Sequence, residues 1–222
     1  MTRKTVLDLQ QMKTGNQSKT KHNKNLQVDK KSKITMVTAY DYTMARCIDQ
    51  TDIDMVLVGD SVGMVFQGHQ DTLGVTMEHM IYHAQVVNRG LSKAHLTVDM
   101  PFMSYQVSTE DAIRNAGRLM KEGGTQSVKI EGFHPEIIKK MVSIGIPVVA
   151  HLGLTPQSVH ALGGFKVQGR EEQAQQLMIE QAIELANAGA FMLVLEMVPA
   201  PLAKSGPTED QKKITNAAPG WI

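Results

Sequence analysis

Asp60, Asp99, Glu131 and Glu196 each stand at or just past the end of a short apolar run, and Lys129 lies two places before Glu131. Hard carboxylate oxygens that leave room for water and substrate suit Mg²⁺, which seldom takes an all-protein cage. Asp60, Asp99 and Glu131 are therefore a candidate metal set. Any one alone reads as readily as a helix cap or the partner of a surface lysine; the set favours the ion. Side chains two apart on a strand face the same way, so Lys129 and Glu131 share one side of a sheet. A cation there could bind a carboxylate substrate or stabilise an enolate. Neighbouring carboxylates keep it charged, which disfavours Schiff-base chemistry and leaves a plain Lys–Glu pair as the alternative. Glu196 is a candidate general base, because burial raises a carboxylate pKa toward the useful range. His151 reads as a metal ligand, a proton shuttle or a hydrogen-bonded rim residue. His69, His79, His83, His134 and His160 lack ligand spacing.

The elements that must carry these residues repeat one grammar. Met55-Val56-Leu57-Val58 halts at Gly59 and hands over to Asp60-Ser61. His95 to Asp99, Ser127 to Glu131, Val148 to His151 and Met192 to Glu196 end in the same manner. Buried parallel strands read as such runs. Helical patterns lie between them: Tyr42 to Gln50, a helix opened by Thr76 with Glu78 and closed by Gly90, Ser108 with Asp111 through to Gly123, Pro135 to Gly145, and Glu171 to Ala188 before Gly189. With a first strand over Ile34 to Ala39, this gives six strand–helix units joined by right-handed crossovers. A doubly wound sheet gathers its site at one switch point. Reactive tips on consecutive strands favour a (β/α)8 TIM-type barrel, with only about six of its eight units present.

The 222 residues carry a formal net charge of +1, so no global field points to nucleic acid. The single cysteine, Cys47, excludes an internal disulfide; within its helical pattern a buried small hydrophobe is expected. No apolar run approaches the roughly 20 residues that span a bilayer, and a soluble cytoplasmic protein is expected. Three regions follow: 1–33, a short helix over Thr5 to Met12 and a lysine-rich linker; 34–204, the incomplete barrel; and 205–222, a polar tail expected to be disordered. The Gly163 to Arg170 stretch, with its glycines and two cations, is a candidate for a flexible lid.

Thr38-Ala39-Tyr40-Asp41-Tyr42, Val58-Gly59-Asp60-Ser61-Val62-Gly63-Met64, Asp99-Met100-Pro101-Phe102-Met103, Val128-Lys129-Ile130-Glu131-Gly132, His151-Leu152-Gly153-Leu154-Thr155-Pro156-Gln157-Ser158 and Leu195-Glu196-Met197-Val198-Pro199 together resemble the ketopantoate hydroxymethyltransferase family, over about Thr5 to Lys204. The resemblance implies a barrel of the phosphoenolpyruvate mutase-like group, assembled as a homodecamer. It implies transfer of a one-carbon unit from 5,10-methylenetetrahydrofolate to 3-methyl-2-oxobutanoate, giving 2-dehydropantoate for pantothenate and coenzyme A biosynthesis. By position, Asp60, Asp99 and Glu131 match Mg²⁺ ligands, Asp60, Ser61, Asp99 and Lys129 match oxo-acid contacts, and Glu196 matches the proton acceptor. Such a metal would stabilise the enolate left when a base removes the C3 proton. Two departures stand out: Asn16 to Lys31 reads as an insertion, and Ser205 to Ile222 bears no likeness to the family's continuation, as in a C-terminally truncated chain. An inactive fragment, or a Mg²⁺-dependent oxo-acid lyase of the same barrel group, are the alternative readings.

Overall fold

The apolar runs form strands whose two faces are buried for different reasons. The computed structural model describes residues 3–14, 33–205 and 220–221. Its strands are β1 (Met36–Thr38), β2 (Met55–Val58), β3 (His95–Asp99), β4 (Ser127–Glu131), β5 (Val148–Gly153), β6 (Met192–Glu196) and β7 (Gly220–Trp221). The helices are α1 (Val6–Thr14), α2 (Tyr42–Ile48), α3 (Val62–Val65), α4 (Met77–Gly90), α5 (Thr109–Arg118), α6 (Pro135–Ser143), α7 (Glu172–Asn187) and α8 (Ala200–Ser205). A π-helical turn, Leu119–Gly123, continues α5. Every pairing is parallel, and spatial order follows chain order from β1 to β7. A doubly wound sheet would reverse direction at its switch point, and this one never does. Six strand–helix units thus form a curled arc of a TIM-type barrel, as the tip pattern implied.

Period-two alternation divides the strands. Val56, Val58, Leu96, Val98, Val128, Ile130, Val148, Ala150 and Leu152 pack with helical Met80, Ala84, Leu119, Ile138 and Leu185 in one outer core. The opposite face is graded. At the amino ends of the strands Met55, Val149, Phe191 and Met192 close around Leu9 of α1, so that helix plugs one end of the arc. Farther along the same face come Thr97 and Ser127, and at the carboxyl ends Asp99, Lys129, Glu131 and His151, all buried. The plug is tied down by the Lys4–Asp54 ion pair at 3.0 Å and by Gln126 donating to the Lys4 carbonyl at 3.0 Å.

Local signals mostly behave as the sequence suggests. Ser108 caps α5 by accepting from the Asp111 amide. Thr76 caps α4 with Glu78 in its first turn, as expected, and His79 completes a capping box with Thr76. The short helix α3, directly after Asp60-Ser61, was not foreseen; four residues are too few for a periodic signal. Cys47 is exposed, contrary to expectation, because Ala45 and Asp49 take the inward positions of α2. The lysine-rich stretch over 15–32 and the tail residues 206–219 lie outside the described residues. Where no strand was expected beyond Lys204, Gly220 and Trp221 pair with Met192 and Leu193. Backbone pairing needs no apolar run when a neighbouring strand offers an open edge.

Asp49 ties the end of α2 to the entry of β3, accepting from Ser92 Oγ at 2.5 Å and from the Lys93 and Ala94 amides at 2.9 and 3.3 Å. Burial works to raise its pKa, but the hydrogen bonds from Ser92, Lys93 and Ala94 win and hold it at about 2. A folded pKa below the unfolded value stabilises the fold above about pH 4, and the benefit disappears as pH falls toward 2. Wild type is expected to lose roughly 2 kcal/mol more than Asp49→Asn between pH 7 and pH 2 in urea unfolding. Equal losses in the two proteins would contradict this.

Candidate active site

The tips meet because the register makes them neighbours. Asp99 lies opposite Lys129, Glu131 opposite His151, and Gly153 opposite Glu196. Asp60 sits just past β2, where its amide donates to Asp99 Oδ2 at 3.2 Å. Lys129 Nζ lies 2.7 Å from Asp99 Oδ1 and 3.8 Å from Glu131 Oε1, with the side chains of all three residues nearly inaccessible. The chain of contacts continues through His151, whose Nδ1 is 3.6 Å from Glu131 Oε1 and whose Nε2 is 3.6 Å from Glu196 Oε2. Both distances exceed hydrogen-bond length. Glu196 closes the series with its side chain 41% exposed, the one acid of the set that faces the opening. Ser61 is held by Tyr40, hydroxyl to hydroxyl, at 2.8 Å. Asp60, Ser61, Asp99, Lys129, Glu131 and Glu196 are thus gathered at one edge of the arc.

Burial and charge oppose each other here. Three carboxylates surround one ammonium, an excess of two negative charges if all ionise. Burial pushes Glu131 up to about 8 and Asp60 up to about 6, with Asp99 adding repulsion and Lys129 opposing it. Burial alone would lower the lysine pKa, but Asp99, Glu131 and Asp60 together raise it, so Lys129 is a permanent cation. His151 is driven well below the usual imidazole range by burial and by Lys129, and is neutral. Burial, with help from Asp99, raises Glu196 above the ordinary glutamate value. The donor chemistry fits a hard divalent cation: it would cancel the excess charge and meet only carboxylate oxygens. Among the described residues, no group of three His, Cys, Asp or Glu side chains stands at closed metal-binding spacing. Water and substrate would have to complete the shell, as Mg²⁺ sites usually require.

Two residues escaped sequence reasoning. Gln157, in the 3-10 turn Pro156–Ser158, donates from Nε2 to Asp60 Oδ2 at 2.8 Å and from its backbone to Glu131 Oε2 at 3.0 Å. Tyr105, buried in the loop after β3, accepts from the Glu131 amide at 3.1 Å and donates to Gln157 Oε1 at 2.7 Å. Neither lies on a periodic element. Gln157 lies within the His151 to Ser158 motif of the resemblance, after the proline that opens its turn, and no role was assigned to it there.

The Ketopantoate hydroxymethyltransferase family model matches residues 19–210. The chain belongs to the ketopantoate hydroxymethyltransferase family. It is 55% identical over 175 residues to the 3-methyl-2-oxobutanoate hydroxymethyltransferase of Pelobacter propionicus, covering 78% of this chain and 65% of that protein. It is 52% identical over 203 residues to the enzyme of that name from Syntrophotalea carbinolica, covering 90% and 70%. The chain thus spans about two thirds of the length of these curated relatives. Among solved structures it is similar to phosphonopyruvate hydrolase in complex with oxalate and Mg²⁺, at a TM-score of 0.65 and 12% identity over 94% of this chain and 70% of that one. It is also similar to 2,3-dimethylmalate lyase of the PEP mutase/isocitrate lyase superfamily, at 0.58 and 16% over 78% and 62%. At such identities these likenesses speak for the fold alone.

In this family member the placement of Glu196 depends on a glycine. Gly153 adopts φ +92°, and a Cβ there would collide with the Glu196 carbonyl oxygen. That oxygen accepts from the Leu154 amide at 2.8 Å, which pins the end of β6 to β5. Met197 then turns the chain away at φ 45°, unusual for a side-chain-bearing residue. Gly153→Ala is expected to cost at least about 1–3 kcal/mol in urea unfolding, through strain and the displaced Glu196 backbone. An unchanged unfolding midpoint would contradict that packing.

Proposed function

We propose that the chain carries the site for hydroxymethyl transfer from 5,10-methylenetetrahydrofolate to 3-methyl-2-oxobutanoate, giving 2-dehydropantoate. The observation that carries this reading is the succession Asp60, Asp99, Lys129, Glu131, His151, Glu196 along one strand edge, with a buried fixed cation inside and a half-exposed acid at the opening. The names of relatives about half identical in sequence point the same way and favour this transfer over a lyase reaction. Asp60, Asp99 and Glu131 are the residues that would hold Mg²⁺. When bound, the ion supplies Lewis-acid polarisation of the oxo-acid and cancels the excess carboxylate charge.

The chain's own residues supply the rest. Lys129 and Ser61 face a carboxylate substrate as charged and neutral donors, and Lys129 needs no proton uptake to do so. Glu196, with its pKa raised, removes the C3 proton. The electron pair left at C3, delocalised as an enolate, then attacks the methylene carbon. That carbon is already at the oxidation level of formaldehyde, so no redox partner is needed; water supplies the hydroxyl oxygen and tetrahydrofolate leaves. His151, neutral and buried between Glu131 and Glu196, screens the metal carboxylates from the base.

No described helix is long and apolar enough to cross a membrane, in keeping with a cytoplasmic enzyme acting on small molecules. Exposed Val65, Phe66 and Tyr82 suit contact between copies, in keeping with a homo-oligomer such as the decamer implied by the resemblance.

The test is C3 proton exchange of 3-methyl-2-oxobutanoate in D₂O, followed by NMR with Mg²⁺ present. Glu196→Gln should slow exchange by about 10²–10⁴-fold while leaving Mg²⁺ affinity unchanged. Exchange at the wild-type rate would remove Glu196 from the role of base.

A further inference from the structure

We propose that Gln157 is the positioning residue of this site, holding Asp60 and Glu131 in fixed places for a divalent cation that it does not itself touch. The inference rests on the reading of those two carboxylates as part of a metal-assisted site. Gln157 is 5% exposed, and each of its amide groups is engaged. Nε2 donates to Asp60 Oδ2 at 2.8 Å and to the Met100 carbonyl at 2.9 Å. Oε1 accepts from the Tyr105 hydroxyl at 2.7 Å and from Gln106 Nε2 at 3.0 Å. Its backbone N–H donates to Glu131 Oε2 at 3.0 Å.

This arrangement permits one orientation of the amide. Turned over, Oε1 would face a carboxylate and a carbonyl, and Nε2 would face another amide donor. Tyr105 supports this orientation: its oxygen receives the Glu131 amide at 3.1 Å, and its single proton has Gln157 Oε1 at 2.7 Å as the nearer acceptor, with the Glu131 carbonyl farther off at 3.1 Å. A closed circuit results: Glu131 amide to Tyr105, Tyr105 to Gln157, and Gln157 to both Asp60 and Glu131. It joins the tips of β2 and β4 to the loops that follow β3 and β5. Two buried carboxyl groups of like charge would otherwise turn away from each other, and fixed donors aimed at both add to the pull of Lys129 in preventing it. Partners that orient ligating carboxylates typically govern metal affinity by 10–100-fold.

The test compares purified wild type, Gln157→Leu and Tyr105→Phe. Gln157→Leu removes the donor to Asp60 and keeps the backbone donor to Glu131. Tyr105→Phe leaves Gln157 in place and unlocks its amide. Calorimetric titration with MgCl₂ should show a Kd raised 10–100-fold in Gln157→Leu and by a smaller factor in Tyr105→Phe. A merely structural role would lower the urea midpoint while leaving the Mg²⁺ affinity of the folded protein unchanged, and that result overturns the proposal. If Gln157→Leu does not fold, Tyr105→Phe decides: unchanged affinity overturns, weakened affinity supports. If wild type itself binds no Mg²⁺, the metal reading of the site falls. The positioning claim is then judged on metal-free crystal structures of wild type and Tyr105→Phe. A displaced Asp60 carboxylate sustains it, and an unmoved one overturns it.

Discussion

A buried ammonium among carboxylates is the interaction on which this site depends. Lys129 and Asp99 meet at 2.7 Å from adjacent strands, with almost no access to water. Burying either charge alone would cost several kcal/mol, and the pair is tolerated because each offsets the other. Asp60 and Glu131 share the same cation, and their pKa values are raised first by burial and then by repulsion among the acids, against the pull of Lys129. Fixed amide donors from Gln157 hold the surplus charge in place. The result is a site short of positive charge, a deficit that the proposed divalent ion would make good.

The fold makes this tolerable by grading one face of the sheet. Methionine, valine and phenylalanine close the amino end around Leu9 of the N-terminal helix, hydroxyls occupy the middle, and the Asp99, Lys129 and Glu131 cluster stands at the carboxyl end. Stability and chemistry are therefore concentrated at opposite ends of the same strands, the division of labour typical of barrels. The outer face is uniformly aliphatic and packs on the helices, so substitutions at the charged end need not disturb that core.

The strands and their reactive tips were legible because period-two alternation and abrupt apolar-to-ionisable boundaries survive in a linear reading. Lys129 with Glu131 is the plainest case: spacing alone put them on one side, and register put Asp99 opposite. Sequential strand order was also legible, since the tips recur on consecutive runs. Gln157 and Tyr105 were not, because they act from loops where no periodicity reports direction and their partners lie far away in sequence. Cys47 was misjudged for a related reason. In a helix of seven residues a small shift in phase exchanges inside for outside, and Ala45 and Asp49 hold the inner positions. The pairing of Gly220–Trp221 with β6 left no trace in composition, because an edge strand recruits backbone and not side chains.

The most direct measurement is the unfolding free energy of Lys129→Met against wild type, in urea, at pH 8 and again at pH 5. With the ammonium gone, Asp60, Asp99 and Glu131 face one another uncompensated, so the variant should be less stable by about 3–5 kcal/mol at pH 8. Asp60 and Glu131, already raised in the wild type, then lie still further above their unfolded values, so stability returns as falling pH protonates them, and the deficit should shrink at pH 5. Equal stability at pH 8, or a deficit independent of pH, would show that Lys129 does not hold the carboxylates together.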